Sequence, residues 1–368
     1  MSIETVVKRT PLFERHVELG ARMGTFAGFE MPLWYSGVVA EHLAVRKQVG
    51  LFDLTHMGEV FVTGREAFDL LQYLTCNDLR RIGDGQCQYT LFPTPEGGVV
   101  DDLIVYQFNP EEYMLVVNAS NTEKDYDWVT RHNHFDCQVV NRSAELTMVA
   151  VQGPLTDDLL RAFGLKNIAH QPAFSFRQLK VQSNKVIVAG TGYTGERGFE
   201  LIVDNSLATW LWDRLLEVGQ EFGAMPIGLG ARDTLRLEMA YSLYGHELTD
   251  EISVLEANLA WAVRWGPDFI GREFLLQQRD EGAKRLITGL AVDKNQGAPR
   301  HSAPVYAPGG KDIGHITSGS FSPSLDKGIA LALLPVEFSE PGSAIAVEIR
   351  GKRVAAKTCE TPFYRRPK

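Results

Sequence analysis

The chain has 368 residues, of which 44% are hydrophobic and 23% charged, and its net charge is −9. This composition is that of a globular protein of two or three domains, and the acidic balance argues against a nucleic-acid-binding protein. The first residues have no signal- or transit-peptide character and no apolar run is long enough to span a membrane, so we expect a cytoplasmic protein.

The first part of the chain predicts alternating helices and strands. The stretch SGVVAEHLAVRKQVG predicts a helix that begins near Ser36 and stops at Gly50. The stretches GEVFVTG, QYTLF and EYMLVVNAS predict strands, and the apolar spacing in REAFDLLQYL predicts a helix. Ser120 and Glu123 form a capping-box pattern for the helix that follows them.

Further along, LTMVAVQGP predicts a strand that leads into a helix at LTDDLLRAFG. SLATWLWDRLLEVGQEFG predicts an amphipathic helix and ARDTLRLEMAYSLYG another helix. From LITGLAV onward the pattern changes to short strands with Gly/Pro turns, and Ile345, Val347 and Ile349 alternate with smaller or charged residues. We expect a separate small all-β domain there.

Two adjacent aspartates interrupt the strand-like stretch GGVVDDLIVY. Successive strand residues point to opposite faces, so Asp101 shares a face with Leu103, and Asp102 shares the other with Ile104. Each face is otherwise apolar. A charge on an apolar face is costly unless it is paired or used, which makes this pair a candidate functional feature.

The stretch GTGYTG, residues 190–195, matches the G-x-G-x-x-G pattern of dinucleotide-binding proteins. That pattern must open a helix, whereas GFELIV after it predicts a strand, so we expect a β-hairpin instead. The hairpin presents Tyr193 and Glu200. From the residues alone, an ordinary hairpin with a half-exposed glutamate is the favoured explanation.

The stretch GLGARDTLRLEMAYSLYG places Arg232 and Arg236 on one helix face. A surface ion-pair network with Asp233 and Glu238 is the simplest explanation. Arg232 also lies in the first helical turn after a glycine loop, a position that suits recognition of a polar ligand.

Metal-binding and nucleophile motifs are weak in this sequence. His132, His134 and Cys137 in RHNHFDC lack a fourth ligand at suitable spacing, and we expect no metal. His56 in FDLTHMGEV is a candidate acid or base from its residue type, but a structural histidine held by backbone is the favoured explanation.

Taken together, several motifs resemble the T-protein of the glycine cleavage system, the aminomethyltransferase family. They are TPLFERHVELGARMGTFAGFEMP, GLFDLTHMGEV, GGVVDDLIVY, YMLVVNAS, GTGYTGERGFEL, GLGARDTLRLEMAYSLYGHEL, ITSGSFSPSL and PFYRRPK. The resemblance covers essentially the whole chain, and the motifs in this order are far more specific than any one of them.

The resemblance implies an α+β fold with three domains in a cloverleaf around a central folate-binding cavity, and a C-terminal barrel-like domain that is all β. The implied domains are residues 1–50 plus 145–270, 51–144, and 271–368. The implied enzyme transfers the methylene carbon of an aminomethyl-dihydrolipoyl group on H-protein to tetrahydrofolate. The products are 5,10-methylenetetrahydrofolate, ammonia and dihydrolipoyl H-protein, with no nucleic acid, membrane or metal involved.

The resemblance also assigns residues by position. Asp102 matches the family's essential carboxylate, which lies against the reacting folate nitrogens, and Met57, Tyr89 and Asn118 match residues that line the cavity. Glu200 and Arg232 match residues that hold the pterin and the polar groups of the folate. Tyr193 and Tyr241 match its aromatic neighbours, and Arg365, in preference to Arg366, matches a C-terminal arginine of the family.

The sequence departs from the family pattern at two places. Met239–Ala240 stands where Ala-Gly is expected, and Val254 stands where proline is usual. Two alternative functions remain open: a folate-dependent demethylase or other one-carbon transferase of the same fold, and a non-catalytic folate-binding module. A folate-binding assembly factor for iron–sulfur proteins is disfavoured, because DGQCQYT does not reproduce its K-G-C motif.

Overall fold

The computed structural model describes residues 7–366, within which the chain forms helices and strands in alternation. The strands are β1 (Lys8–Arg9), β2 (Arg22–Phe26), β3 (Phe29–Trp34), β4 (Val49–Asp53), β5 (Gly58–Thr63), β6 (Gln86–Pro93), β7 (Val99–Asn109), β8 (Glu112–Val117), β9 (Gln138–Asn141), β10 (Leu146–Gln152), β11 (Phe176–Val181), β12 (Asn184–Ala189), β13 (Gly198–Asp204), β14 (Ala224–Pro226), β15 (Arg285–Val292), β16 (Pro304–Tyr306), β17 (Asp312–Ser322), β18 (Lys327–Pro335), β19 (Ala344–Ile349) and β20 (Lys352–Cys359). The α-helices are α1 (Phe13–Glu18), α2 (Val38–Lys47), α3 (Ala67–Leu74), α4 (Thr122–Arg131), α5 (Thr156–Phe163), α6 (Ala208–Gly219), α7 (Leu229–Glu238) and α8 (Arg272–Glu281).

The chain divides into two compact units, each built from several stretches of sequence. The first unit contains the chain up to Leu70 together with Arg80–Gln88 and Leu103–Asp233. The second contains Leu71–Leu79, Tyr89–Asp102 and the chain from Thr234 onward. The mixed α+β class expected from the sequence is confirmed, while the boundaries of the three implied domains stay a prediction.

In the first unit, a six-stranded sheet has the order β11-β12-β13-β10-β4-β14. Its apolar side chains, such as Val149 and Leu201, form one core cluster with Leu211, Trp212 and Leu215 of α6. These α6 residues are spaced as the buried stripe of an amphipathic helix, which is why this helix was predictable from its pattern. The core holds β10 and β13 rigidly in register, from Leu146 opposite Asp204 to Gln152 opposite Gly198.

A five-stranded sheet has the order β6-β7-β8-β5-β9, and a small sheet has the order β1-β3-β2. In the five-stranded sheet, Val116 of β8 lies opposite Ile104 of β7 on one side and Glu59 of β5 on the other. Met114 lies opposite Tyr106 and Phe61 in the same way, two residues along. These residues therefore form rows across one sheet face.

The second unit contains a closed barrel of order β15-β18-β17-β16-β19-β20. Ile345, Val347 and Ile349 of β19 are buried in its core, as their alternation predicts, while the residues between them are less buried. The expected C-terminal all-β domain is thus confirmed. The pattern was readable because one face of each strand must be apolar to fill a small barrel.

The glycine-rich hairpin is also confirmed. β12 and β13 pair antiparallel, with Ile187 opposite Ile202 and Ala189 opposite Glu200. The loop between them carries GTGYTG and leads into a strand, not a helix. It therefore has no helix N-terminus for a dinucleotide phosphate.

Two helix boundaries were wrong. α2 ends at Lys47, and Gly50 lies inside β4 instead of stopping the helix. A Cβ at Gly50 would collide with Val45 and Ile227, so this glycine serves a close packing contact. The predicted capping box is absent, because α4 begins at Thr122 with Asn121 at its N-cap and no side-chain cap hydrogen bond.

Helix α7 ends earlier than its pattern predicts. Its last residue is Glu238, and the chain leaves it through Ala240 in the left-handed region, at φ 55°. The Tyr241 N–H donates to the Arg236 carbonyl at 3.0 Å, and the Ala240 N–H donates to the Leu237 carbonyl at 2.9 Å. This is a Schellman C-cap, which usually has glycine at the left-handed position. Alanine at this position hid the helix end from sequence reasoning.

Candidate active site

The two aspartates of β7 are separated as strand alternation predicts. Asp101 is fully buried, like Leu103 and Val105 on its face. Asp102 is partly exposed, and so is Ile104 beyond it on the other face. Asp102 is thus the aspartate of the pair that solvent, and hence a ligand, can reach.

Asp102 accepts a hydrogen bond from a tyrosine in the same unit. The Tyr89 hydroxyl donates to Asp102 Oδ2 at 2.9 Å. The Tyr89 ring in turn stacks on Trp261, with ring centroids 5.5 Å apart and an angle of 20° between the planes. Trp261 is 58% exposed, and sequence reasoning missed it. No local sequence pattern identifies this tryptophan as a site residue. It lies in a short 3-10 turn, which only folding brings against β6.

The other two predicted site residues of the second unit lie at its surface. Tyr241, the residue after the left-handed Ala240, is 37% exposed. The Arg365 guanidinium donates to Glu360 at 3.0 Å in a solvent-exposed ion pair. That Arg365 binds the ligand therefore stays a prediction.

In the first unit, Glu200 lies on β13 with only 8% of its surface exposed. One carboxylate oxygen accepts hydrogen bonds from the Thr191 hydroxyl at 2.5 Å and the Tyr106 hydroxyl at 3.5 Å. Burial raises the pKa of Glu200, and the Thr191 hydrogen bond and the positive charge of Arg232 act in the opposite direction. Thr191 and Tyr106 are hydrogen-bond partners of Glu200 that the sequence did not single out.

Arg232 and Tyr193 are brought together with Glu200. The Arg232 guanidinium carbon lies 4.9 Å from the centroid of the Tyr193 ring, a cation–π geometry. Arg232 is in the first turn of α7, as expected, and Tyr193 is in the glycine-rich loop that leads to Glu200. A carboxylate and an aromatic ring from one hairpin and a guanidinium from α7 thus come from two separated stretches of chain.

Met57 and Asn118 occupy corresponding places beside two paired strands. Met57 comes directly before β5 and Asn118 directly after β8, and Gly58 lies opposite Val117. Both side chains are partly exposed. The antiparallel pairing therefore places the two predicted residues at the same end of this ladder.

His56 is 2% exposed, and its Nδ1 makes no hydrogen bond in the described residues. Burial lowers its pKa to about 4, and the charge of Arg232 acts in the same direction. The imidazole is therefore neutral at neutral pH. The expectation that the backbone holds this histidine is not supported at Nδ1, because that atom has no hydrogen bond in the described residues.

Among residues 7–366 there is no group of three or more His, Cys, Asp or Glu side chains that could hold a metal ion. In the RHNHFDC stretch, His132 Nδ1 lies 2.8 Å from the Trp128 carbonyl, and Cys137 Sγ donates to Asn133 Oδ1 at 3.4 Å. No helix within this described range is long and apolar enough to cross a membrane.

Comparisons with known families match nearly the whole chain. Residues 12–266 match the GCVT N-terminal domain, and residues 284–365 match the glycine cleavage T-protein C-terminal barrel domain. The chain belongs to the glycine cleavage T-protein family. The resemblance in the sequence motifs is thereby confirmed.

Individual relatives agree with this assignment. An aminomethyltransferase of Symbiobacterium thermophilum is 44% identical over 370 residues, which cover 98% of each chain. One of Desulfitobacterium hafniense is 45% identical over 364 residues, 98% of this chain and 99% of the relative. The crystal structure of glycine cleavage system aminomethyltransferase T from Bartonella henselae has a TM-score of 0.91 at 33% identity, covering 98% and 99% of the two chains. An aminomethyltransferase is the enzyme class that these matches support.

Proposed function

We propose that the protein transfers the carbon of an aminomethyl group, carried on the dihydrolipoyl arm of H-protein, to tetrahydrofolate. The observation that carries the proposal is the end-to-end similarity to aminomethyltransferases, 44% identical over 98% of the chain. In the transfer, the C–S and C–NH₂ bonds of the aminomethyl group break and two bonds form to folate N5 and N10. The two displaced N–H protons go to the lipoyl sulfur and to the departing ammonia, so no oxidant or reductant is needed.

Asp102 is the proposed catalytic residue. The reaction develops positive charge on the carbon that is transferred, and a carboxylate beside it stabilises that charge and can accept a proton. Asp102 is partly exposed, so its carboxylate stays accessible, and the Tyr89 hydroxyl holds one of its oxygens. The Trp261 stack keeps the Tyr89 ring in place for that hydrogen bond.

Glu200, Arg232 and Tyr193 are the proposed pterin-binding residues. A pterin is flat and has ring N–H donors and acceptors along one edge. A buried carboxylate matches the donors, a guanidinium matches the acceptors, and a tyrosine ring offers contact area. The donor set of the first unit therefore fits this ligand. Met57, Asn118 and Tyr241 are the further proposed folate contacts, and Arg365 keeps its implied role.

The test is turnover with H-protein carrying the aminomethyl group and tetrahydrofolate. We expect 5,10-methylenetetrahydrofolate and ammonia in equal amounts, and neither product without H-protein. Equal turnover of a free N-methylated amine without H-protein would instead support the demethylase alternative. Tight tetrahydrofolate binding without turnover of either donor would support the non-catalytic folate-binding module.

A further inference from the structure

Glu59 lies on the same face of the five-stranded sheet as two of the proposed site residues. It follows Met57 by two positions in the chain, and its cross-strand neighbour Val116 precedes Asn118 by two positions. Because residues two apart share a face, Glu59 occupies the row beneath these residues. Sequence reasoning passed over it as part of an ordinary strand.

The Glu59 side chain is isolated from polar partners. The residue is 0% exposed, and in the described residues neither carboxyl oxygen makes a hydrogen bond. A buried carboxylate without hydrogen bonds or a cation is far too costly to keep ionised, whereas the neutral acid costs much less. Tyr106 lies on the same sheet face, in the row next to that of Glu59, and its hydroxyl donates to Glu200, whose charge acts on Glu59 with the same sign as burial does.

The two carboxyls are in unequal surroundings. Glu200 receives hydroxyl hydrogen bonds and the field of Arg232, all of which favour its ionised form, and Glu59 receives none of these. Two buried carboxyls that interact do not both ionise easily, so such a pair retains one proton. We propose that Glu59 holds this proton and so keeps Glu200 as the ionised acceptor for the pterin, which makes Glu59 a positioning residue. The role in binding rests on the proposed function; the location of the proton does not.

The titratable groups that act on the Glu59 and Glu200 carboxyls come from several elements. Arg232 of α7 favours the charge on Glu200, while Tyr106 of β7 and Cys87 of β6 interact electrostatically with Glu200. Burial raises the pKa of both the Tyr106 hydroxyl and the Cys87 thiol, so these groups are neutral near pH 7. His56, in the turn before β5, is neutral as well, with its pKa lowered to about 4.

The sign of the pH dependence follows from these surroundings. The pKa of Glu59 is well above its ordinary value of 4.5 in the folded protein, because burial and Glu200 disfavour the charge. A group whose pKa is raised by folding contributes stability that is fully present below its pKa in the unfolded chain. This stability is lost as the pH rises through its pKa in the folded protein. Glu59→Gln cannot titrate. Its unfolding midpoint relative to the wild type should therefore rise as the pH increases above the ordinary carboxyl value of 4.5.

The location of the proton is tested by infrared spectroscopy of ¹³C-glutamate-labelled protein near neutral pH. We expect the stretching band of a protonated carboxyl in the wild type, its loss in Glu59→Gln, and its retention in the matched variant Glu200→Gln. Loss of the band in Glu200→Gln together with its retention in Glu59→Gln would overturn the proposal. Absence of the band from the wild-type protein would also overturn it, and this measurement needs no variant.

Tetrahydrofolate affinity, measured by calorimetry from pH 7 to 9, separates this inference from the proposed function. In the wild type the affinity should change with pH once Glu59 ionises, because the pair then loses its proton and gains a second charge, and in Glu59→Gln it should stay flat. If the infrared result holds but Glu200→Gln binds folate normally, only the pterin assignment fails. If Glu200→Gln weakens folate binding and the band survives in Glu59→Gln, only the proton assignment fails.

Discussion

Each unit contains a buried glutamate, and the two glutamates have opposite surroundings. In the second unit, the Glu238 carboxylate accepts hydrogen bonds from the Ser322 hydroxyl at 2.5 Å and from the N–H and hydroxyl of Ser324 at 3.1 and 2.9 Å. Glu247 pairs with Arg236 at 3.3 Å. In the first unit, Glu59 has no hydrogen-bond partner for either oxygen in the described residues, and the charge of another carboxyl, Glu200, acts on it.

This difference indicates which groups are structural. A carboxylate surrounded by donors holds neighbouring elements together and stabilises the fold. An unsatisfied carboxyl beside a like group costs stability, and proteins keep such arrangements mostly at functional sites. Glu59 in the first unit therefore has the surroundings expected beside the proposed pterin site, and the serine-bound carboxylate of the second unit does not have them. Asp102 stands between these cases, because it is partly exposed and accepts one phenolic hydrogen bond.

The largest expected effect concerns Asp102. Asp102→Asn should lower kcat by about 10²–10⁴-fold, because it removes a placed carboxylate, while the Kd for tetrahydrofolate stays within a few-fold. The matched control is Asp101→Asn on the opposite face, which should lower the unfolding midpoint and leave kcat per folded enzyme largely intact. Near-normal turnover in Asp102→Asn would remove Asp102 from the mechanism.

Glu238→Ala tests the structural carboxylate of the second unit. It leaves the Ser322 and Ser324 donors without their acceptor and should cost about 2–4 kcal/mol of unfolding free energy, measured by urea denaturation. Glu59→Gln should show no such loss at neutral pH. An equal loss in both variants would contradict the contrast between the two units.

Arg232→Ala tests the ligand-binding arrangement of the first unit. Loss of a charged hydrogen-bond donor should weaken tetrahydrofolate binding by about 10–100-fold in calorimetry. Arg232→Lys keeps the charge but loses the planar guanidinium, so it should recover only part of the affinity. An unchanged Kd in Arg232→Ala would refute the assignment of the pterin-binding residues.

The smallest effect concerns the backbone that carries Glu238. Ala240 adopts a left-handed conformation, which costs an L-residue roughly 1–2 kcal/mol, and glycine avoids this cost. Ala240→Gly should therefore raise the unfolding free energy by about 1 kcal/mol. Met239→Ala changes the other residue at which this stretch departs from the family pattern. Its unfolding free energy should stay within about 0.5 kcal/mol of the wild-type value. A destabilised Ala240→Gly variant would show that the alanine methyl group contributes packing that outweighs the strain.

The second departure from the family pattern also has a structural counterpart. The Val254 N–H donates to the Gly97 carbonyl at 3.1 Å, a hydrogen bond that proline could not make. Val254 is fully buried, so the change from proline adds a backbone interaction within the second unit without exposing an apolar side chain.

Sequence reasoning succeeded where one local rule decides the outcome. Alternation in β19 predicted the barrel face, and the strand after GTGYTG excluded a dinucleotide-binding helix. It failed where packing overrides the local signal. Gly50 looks like a helix stop but serves a close contact within β4, and the Ser120–Glu123 pattern caps nothing because α4 begins later.

The sequence alone determined the periodicity of the strands, the hairpin, the separation of Asp101 from Asp102 and, through its motifs, the family. These features depend on neighbours in the chain, so they are visible without folding. Only the tertiary structure showed that Trp261 stacks on Tyr89 and that Glu59 is buried without a hydrogen bond, in the field of Glu200. Desolvation and charge–charge interaction depend on what surrounds a group in the folded protein, and the order of residues along the chain does not show this.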